Sequence, residues 1–291
     1  MSAEIFGLIA LSAICHASWN LISKRAASAG PSFVLAYRLT STLLFAPWVI
    51  YIVWVDGVPW SLPMVAFIVL SGLIHLIYSL ALQRGYQLAD LSVVYPVARG
   101  TGPLLSSVGA FLWLNEQPSW AGVVGMLCVV GGVLLIAIRG NWRLFSQTHA
   151  RVGVQWGLSI GLLIACYTLV DAYNVKHLSV APVVLDWFMG LTITAMMMPT
   201  AWLRRKTVLQ QMRGRWWLAV AVGILSPGAY ILVLFALQQG AQVSLIAPLR
   251  EMSLMIGTLA SFFILKEKVS RSRLAGCAVI IAGVVLLAQH G

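Results

Sequence analysis

The chain has 291 residues, 60% of them apolar and only 9% charged, with a formal charge of +11 and a mean hydropathy of +0.90. Soluble domains carry about 25% charged residues, and no globule of this length buries so much apolar surface in water, so the chain reads as a polytopic membrane protein. Its positive charges fall in short loops between apolar runs, which excludes nucleic acid as the partner they serve and makes the lipid bilayer the surrounding medium.

Ten apolar segments run along the chain at 5–22, 33–55, 64–82, 91–113, 120–137, 154–173, 183–203, 217–237, 243–265 and 274–288. Each is near the ~20 residues that span a bilayer. The start, MSAEIFGLIA, has Glu4 and no basic stretch, so the first segment is expected to be a retained helix and not a cleaved leader. Cys15, Cys128, Cys166 and Cys277 all lie inside apolar runs without CxxC or His/Cys ligand spacing. They read as small buried hydrophobes, and neither a metal nor another cofactor is expected.

Loops after the odd-numbered segments hold fifteen of the nineteen Lys and Arg, among them Lys24, Arg84, Arg139, Arg143, Arg204, Arg213, Lys266 and Lys268. The opposite face holds only Lys176. The positive-inside rule places the basic loops in the cytoplasm and both termini outside, in the periplasm of a bacterial inner membrane. Arg38 lies near a cytoplasmic helix end, from which it is expected to snorkel.

The two halves repeat. Ala81-Leu-Gln-Arg-Gly85 recurs as Ala236-Leu-Gln-Gln-Gly240, and Leu114-Asn-Glu116 recurs as Leu265-Lys-Glu267 at an offset of 151. Pro96 matches Pro248. The expected organisation is one five-helix repeat over 1–138, a cytoplasmic linker over 139–153 and a second repeat over 154–291. Five is odd, so the second copy enters the membrane inverted. The fold class is therefore all-α, with ten transmembrane helices as two inverted five-helix repeats, an architecture that binds substrate between its halves near the midplane.

The fourth and ninth segments carry what a membrane helix tolerates least. Arg99 follows Pro96, and Arg250 and Glu251 follow Pro248. A charged residue at mid-bilayer costs at least ~2.5–3.5 kcal/mol on insertion scales, so it implies a partner, a wet cavity or a function. Arg99 and Glu251 stand at equivalent places in the repeats and are expected to pair if those segments face each other; a charge network that only joins the halves is the competing role. Pro96, Pro227 and Pro248 are candidate hinges.

Other polar residues lie in stripes. The first segment carries Ser12, His16, Asn20 and Ser23 on one face, the third Ser71, His75 and Tyr78, the sixth Tyr167, Asp171 and Asn174, and the eighth Ser226 and Tyr230. Trp19, Asn20, His75, Tyr78, Tyr95, Arg99, Tyr167, Asp171, Tyr230, Arg250 and Glu251 form the candidate substrate site, with Trp187 a further ring. The rings stack on a flat or cationic group and the arginines meet a carboxylate. His16, His75, Asp171 and Glu251 are candidate proton carriers, His75 alongside its place in the substrate site. The tryptophans at segment ends, such as Trp54, Trp120 and Trp142, are expected to form the interfacial belt.

The fifth and tenth segments are almost wholly apolar but carry Gly122, Gly125, Gly131 and Gly132, and Gly276 and Gly283. Small residues let helices approach closely, so these two read as packing helices away from the cavity, in a monomer or through them in a homodimer. Gly157-Leu-Ser-Ile-Gly161 fits the nucleophile-elbow pattern but lies in the first turns of a membrane helix, without the strand–turn–helix that chemistry needs. No HExxH, P-loop or Rossmann signature occurs, so neither an enzyme nor a nucleotide-driven pump is expected.

The duplicated unit, the Trp19-Asn20 pair, Pro96 with Pro248, and Glu116 and Glu267 each followed by a glycine-rich last helix resemble the EamA-type members of the drug/metabolite transporter superfamily. That resemblance implies a ten-helix secondary carrier working by alternating access, and it extends to a branch that exports aromatic amino acids. The expected function is export of small metabolites, amino acids foremost. The alternatives are a broad drug or cation exporter and, in another class, a membrane binding protein or enzyme that moves nothing.

Overall fold

The structure, a computed structural model, describes residues 1–89, 91–117, 119–138, 150–263 and 270–290. Among these, every regular element is helical. The long helices are α1 (Ala3–Arg25), α2 (Gly30–Tyr51, continued by a π turn), α3 (Leu62–Leu88), α4 (Leu91–Trp113), α5 (Trp120–Ile138), α6 (Ala150–Lys176) and α7 (Pro182–Leu203). After these come α8 (Arg205–Met212), α9 (Trp216–Gln238), α10 (Val243–Leu249), α11 (Met252–Phe263) and α12 (Arg271–His290). Prolines open several of them, where the missing N–H costs nothing: Pro31 in α2, Pro63 in α3 and Pro182 in α7. Ser61 caps α3 by accepting the Met64 amide at 3.3 Å.

Among the described residues, nine spans are long and apolar enough to cross a membrane, with α10 and most of α11 counted together as Val243–Ala260. The tenth, α4, has 23 residues but is diluted by Arg99 and by serines and glycines. The described residues thus form a ten-span, all-α membrane protein. Its outer surface is apolar, with Leu43, Leu62, Leu112 and Leu203 exposed, as a lipid-facing surface requires.

Contacts among the helices respect exchange of the two repeats. α1 lies along α9 as α6 lies along α3, α7 meets α2, and α5 meets α12. The fifth and tenth segments therefore pack on each other within one chain. A Cβ on Gly132 would stand 2.7 Å from the Gly276 carbonyl oxygen, and one on Gly283 would stand 2.7 Å from that of Gly125. Only glycine permits backbones this close. The same logic explains Gly157 and Gly161. A Cβ on Gly157 would come 2.5 Å from Val97 Cβ, and one on Gly161 would overlap Thr101 Oγ1. That pattern is a groove on α6 for α4, with Ser159 exposed between the two glycines.

Three expectations need correction. The ninth segment is two helices, with Arg250 and Glu251 at the break. Pro248 cannot donate to the Ser244 carbonyl, which instead accepts the Ser107 hydroxyl of α4 at 3.2 Å. The chain then passes through tight i→i+3 turns, with the Glu251 amide donating to the Pro248 carbonyl at 2.9 Å. By contrast α4 and α9 run unbroken through Pro96 and Pro227. Second, α6 begins at Ala150, inside the stretch expected as linker; residues 139–149, with Arg139, Arg143 and Trp142, lie outside the described residues, as do Lys266, Glu267 and Lys268. Third, the basic loop after α7 folds into the short helix α8, where Arg205 lies over the Trp202 ring at 5.5 Å.

Candidate functional site

A cavity of ≈ 120 Å³ lies between the repeats. α1 contributes Ser12, His16 and Trp19, α2 contributes Tyr37 and Arg38, and α3 contributes His75, Tyr78 and Ser79. From the second repeat come Tyr167 on α6, Asp186 and Met189 on α7, Ser226 and Tyr230 on α9, and Arg250 at the α10–α11 break. Helical periodicity brings these together: Ser12, His16 and Trp19 recur at i, i+4 and i+7, one face of α1.

The rings form a connected set. His75 lies against Tyr167 with centroids 4.1 Å apart, Tyr78 meets Tyr167 edge-on at 5.5 Å, and Tyr230 meets His75 at 5.7 Å. The Arg250 guanidinium sits over the Tyr230 ring at 5.4 Å, a cation–π placement. Arg250 makes no ion pair among the described residues.

Arg99 is committed elsewhere. Its Nη2 stands 2.9 Å from Glu251 Oε2, and the carboxylate is buried. Ser253 Oγ accepts a second, longer bond from Arg99 at 3.4 Å. The two opposite charges of the repeats are thus paired, and neither lines the cavity. The sequence grouped Arg99, Arg250 and Glu251 as one centre; the geometry divides them into a closed pair and an arginine that faces the cavity.

Asp171 lies behind the cavity wall with none of its surface exposed. Tyr230 Oη donates to its Oδ2, and His75 Nε2 is 3.9 Å from the same oxygen. Asn174 turns back to the Val170 carbonyl at 3.1 Å. Tyr95 is half-buried and does not line the cavity. Asn20 is exposed, and its amide donates to the His16 carbonyl at 2.8 Å, so it leaves the group expected to shape the site. Trp187 also turns away, donating Nε1–H to the Thr42 carbonyl at 2.7 Å.

Two charged groups of the cavity were not anticipated as such. Arg38 does not snorkel but lines the cavity, its guanidinium passing over the α7 face that carries Gly190 and, one turn earlier, Asp186. Asp186 is buried and is the carboxylate that faces the cavity directly. A lone Asp one turn into an apolar helix was the available signal, one that a residue near an interface also gives.

A second polar centre lies away from the cavity. Glu116, buried after α4, accepts the Val243 amide at 2.7 Å, the Ser244 amide at 2.9 Å, the Ser244 hydroxyl at 2.7 Å and Lys176 Nζ at 3.1 Å. It caps α10 with a charge at the positive end of the helix. The one basic residue expected on the far face is therefore tied to the first repeat.

Two inverted bundles of membrane-spanning helices around a polar, ring-lined cavity define a membrane transporter. The chain belongs to the EamA-like transporter family, whose pattern matches residues 4–138 and again 151–289. It is 32% identical over 85 residues to the probable 4-amino-4-deoxy-L-arabinose-phosphoundecaprenol flippase subunit ArnE of Pseudomonas fluorescens, covering 29% of this chain and 71% of that protein. It is 32% identical over 81 residues to the multidrug resistance protein EbrA of Bacillus licheniformis, covering 28% of this chain and 73% of that protein. A solved structure described only as a crystal structure of protein superimposes with a TM-score of 0.73 at 16% identity, over 99% of this chain and 98% of the other. That likeness shows the fold.

Proposed function

We propose that this transporter exports amino acids, those with aromatic or other zwitterionic character, across the bacterial inner membrane. Substrate sits in the cavity between the repeats, which opens alternately to either side, with the basic loops in the cytoplasm. The observation that carries the reading is a cavity holding Arg250, without an ion pair among the described residues, together with the carboxylate of Asp186 and a set of rings. A carboxylate meets Arg250, an ammonium meets Asp186, and a side chain packs on Tyr78, Tyr167 and Trp19. In this role the protein is a carrier and performs no catalysis.

The competing reading, a broad exporter of cationic drugs, takes support from the similarity to a multidrug resistance protein. Against it stands the charge of the cavity, where Arg38 and Arg250 outnumber Asp186; two guanidinium groups in a small, weakly screened space repel a lipophilic cation. Counterflow in proteoliposomes tests the choice. Labelled phenylalanine, tryptophan or threonine should accumulate against its unlabelled excess, while a cationic dye should not. Dye movement without amino-acid movement reverses the conclusion.

A further inference from the structure

His75 lines the cavity with Asp171 directly behind it, and the hydrogen bonds around the imidazole fix where its hydrogen sits. His75 Nδ1 is 3.0 Å from the Ser71 carbonyl oxygen. A carbonyl only accepts, so Nδ1 carries the hydrogen. The Ser71 hydroxyl, at 3.5 Å from the same nitrogen, is too distant to compete. With Nδ1 protonated, a neutral ring turns a bare Nε2 lone pair towards Asp171 Oδ2, 3.9 Å away.

An ionised Asp171 facing that lone pair is a contradiction in a site shielded from water. Oδ2 has the Tyr230 hydroxyl and the Ser71 hydroxyl interacts with the carboxyl group, but buried Oδ1 receives no hydrogen bond of good geometry. One added proton resolves it. On Nε2 it makes an imidazolium–carboxylate pair, and on the carboxyl it makes a neutral acid beside a neutral ring. Each arrangement relieves a buried carboxylate that has no lysine or arginine in direct ion-pair contact among the described residues.

We propose that His75 and Asp171 form a proton-binding dyad that holds one exchangeable proton and couples its release to substrate. His75 lines the cavity whereas Asp171 does not, so the proton enters and leaves through the imidazole. At 3.9 Å the two atoms are beyond direct hydrogen-bond reach, and transfer between them needs a swing of roughly 1 Å. The proton moves from water in the cavity to Nε2, then to Oδ2, and returns by the same route.

The surroundings supply the coupling. Arg38 of α2, Asp186 of α7 and Arg250 face the dyad, with Ser71 and Tyr78 of α3, Tyr167 of α6, Tyr230 of α9 and His16 of α1. Arg99 of α4 is neutralised by Glu251. An ammonium arriving in a space that already holds two arginines competes with an imidazolium for the same field, so substrate and proton exclude each other. Tyr230 adds a mechanical link, because its ring bears Arg250 and its hydroxyl holds Asp171.

This inference deepens the exporter reading, and its test does not require transport. The full-length protein, labelled with ¹⁵N-histidine and ¹³C-aspartate, is placed in lipid bilayers and examined by solid-state NMR across pH, with His75→Asn used to assign the ring. The expected result is Nδ1 protonated throughout, with Nε2 and the Asp171 carboxyl carbon changing together in one step. Asp171→Asn should abolish the Nε2 proton signal. A ring found as the Nε2–H neutral tautomer, or ring signals unchanged by Asp171→Asn, overturns the dyad. If Asp171→Asn does not fold, Tyr230→Phe takes its place. Loss of that hydroxyl should shift both the Nε2 and the carboxyl resonances, and no shift in either counts against the dyad. Absence of amino-acid counterflow would refute the exporter while leaving these spectra to decide the dyad.

Discussion

Arg99 on α4 and Glu251 at the α10–α11 break stand 2.9 Å apart at equivalent positions of the two repeats. The pair joins the halves of the molecule with no net charge where neither charge alone is tolerated. Arg99→Gln should therefore destabilise the protein by about 3–5 kcal/mol, because it leaves Glu251 buried and unpaired. The double variant Arg99→Gln/Glu251→Gln should recover most of that loss. Unfolding midpoints in mild detergent, compared across the single and double variants, check this coupling.

Glu116 links α4, α6 and α10 through one carboxylate. Glu116→Ala removes the cap of a seven-residue helix, at a cost of about 0.5–2 kcal/mol for the cap alone. Hydrogen exchange should then speed up at the Val243 and Ser244 amides before it does so elsewhere in the second repeat. Unchanged protection there would show that α10 is held by packing and not by this carboxylate.

The α5–α12 contact predicts a contrast between adjacent glycines. Gly132→Ala puts a methyl 2.7 Å from the Gly276 carbonyl oxygen, whereas Gly131→Ala meets nothing within 4 Å. The first should cost about 1–3 kcal/mol by overpacking, and the second should be near neutral. Thermal stability of the two purified variants separates them.

Much of this was legible in the sequence because repetition and charge are strong signals. The offset between Leu114-Asn-Glu116 and Leu265-Lys-Glu267 exposed the duplication, and the matched depth of Arg99 and Glu251 pointed to a pair. What could not be read depended on neighbours. Pro96 and Pro248 look alike in sequence, yet only the second coincides with a break, where Ser107 of another helix takes up the carbonyl that proline leaves unpaired. Arg38 lies close enough to a helix end to suggest snorkelling, and only the packing of α2 on α7 turns it inward. Asn20 follows the polar stripe of α1 but falls on its exposed edge, since a wide stripe on a helix does not say which of its residues the cavity uses.

Asp186 should discriminate between ligands that carry an ammonium and those that do not. Asp186→Asn is expected to raise KM for phenylalanine about tenfold, the loss of roughly 1.4 kcal/mol of charge-assisted hydrogen bonding. Inhibition by phenylpropionate, which has the carboxylate and ring but no amine, should be unaffected. Equal weakening of both would mean that Asp186 shapes the cavity without contacting the amine.

The most direct test of the central claim is phenylalanine counterflow in proteoliposomes, wild type against Arg250→Gln and Arg250→Lys. Wild type should accumulate phenylalanine, Arg250→Gln should lose accumulation and Arg250→Lys should recover it in part, because a point charge replaces a planar fork. Accumulation by Arg250→Gln at the wild-type rate would contradict the assignment of the cavity arginine to the substrate carboxylate.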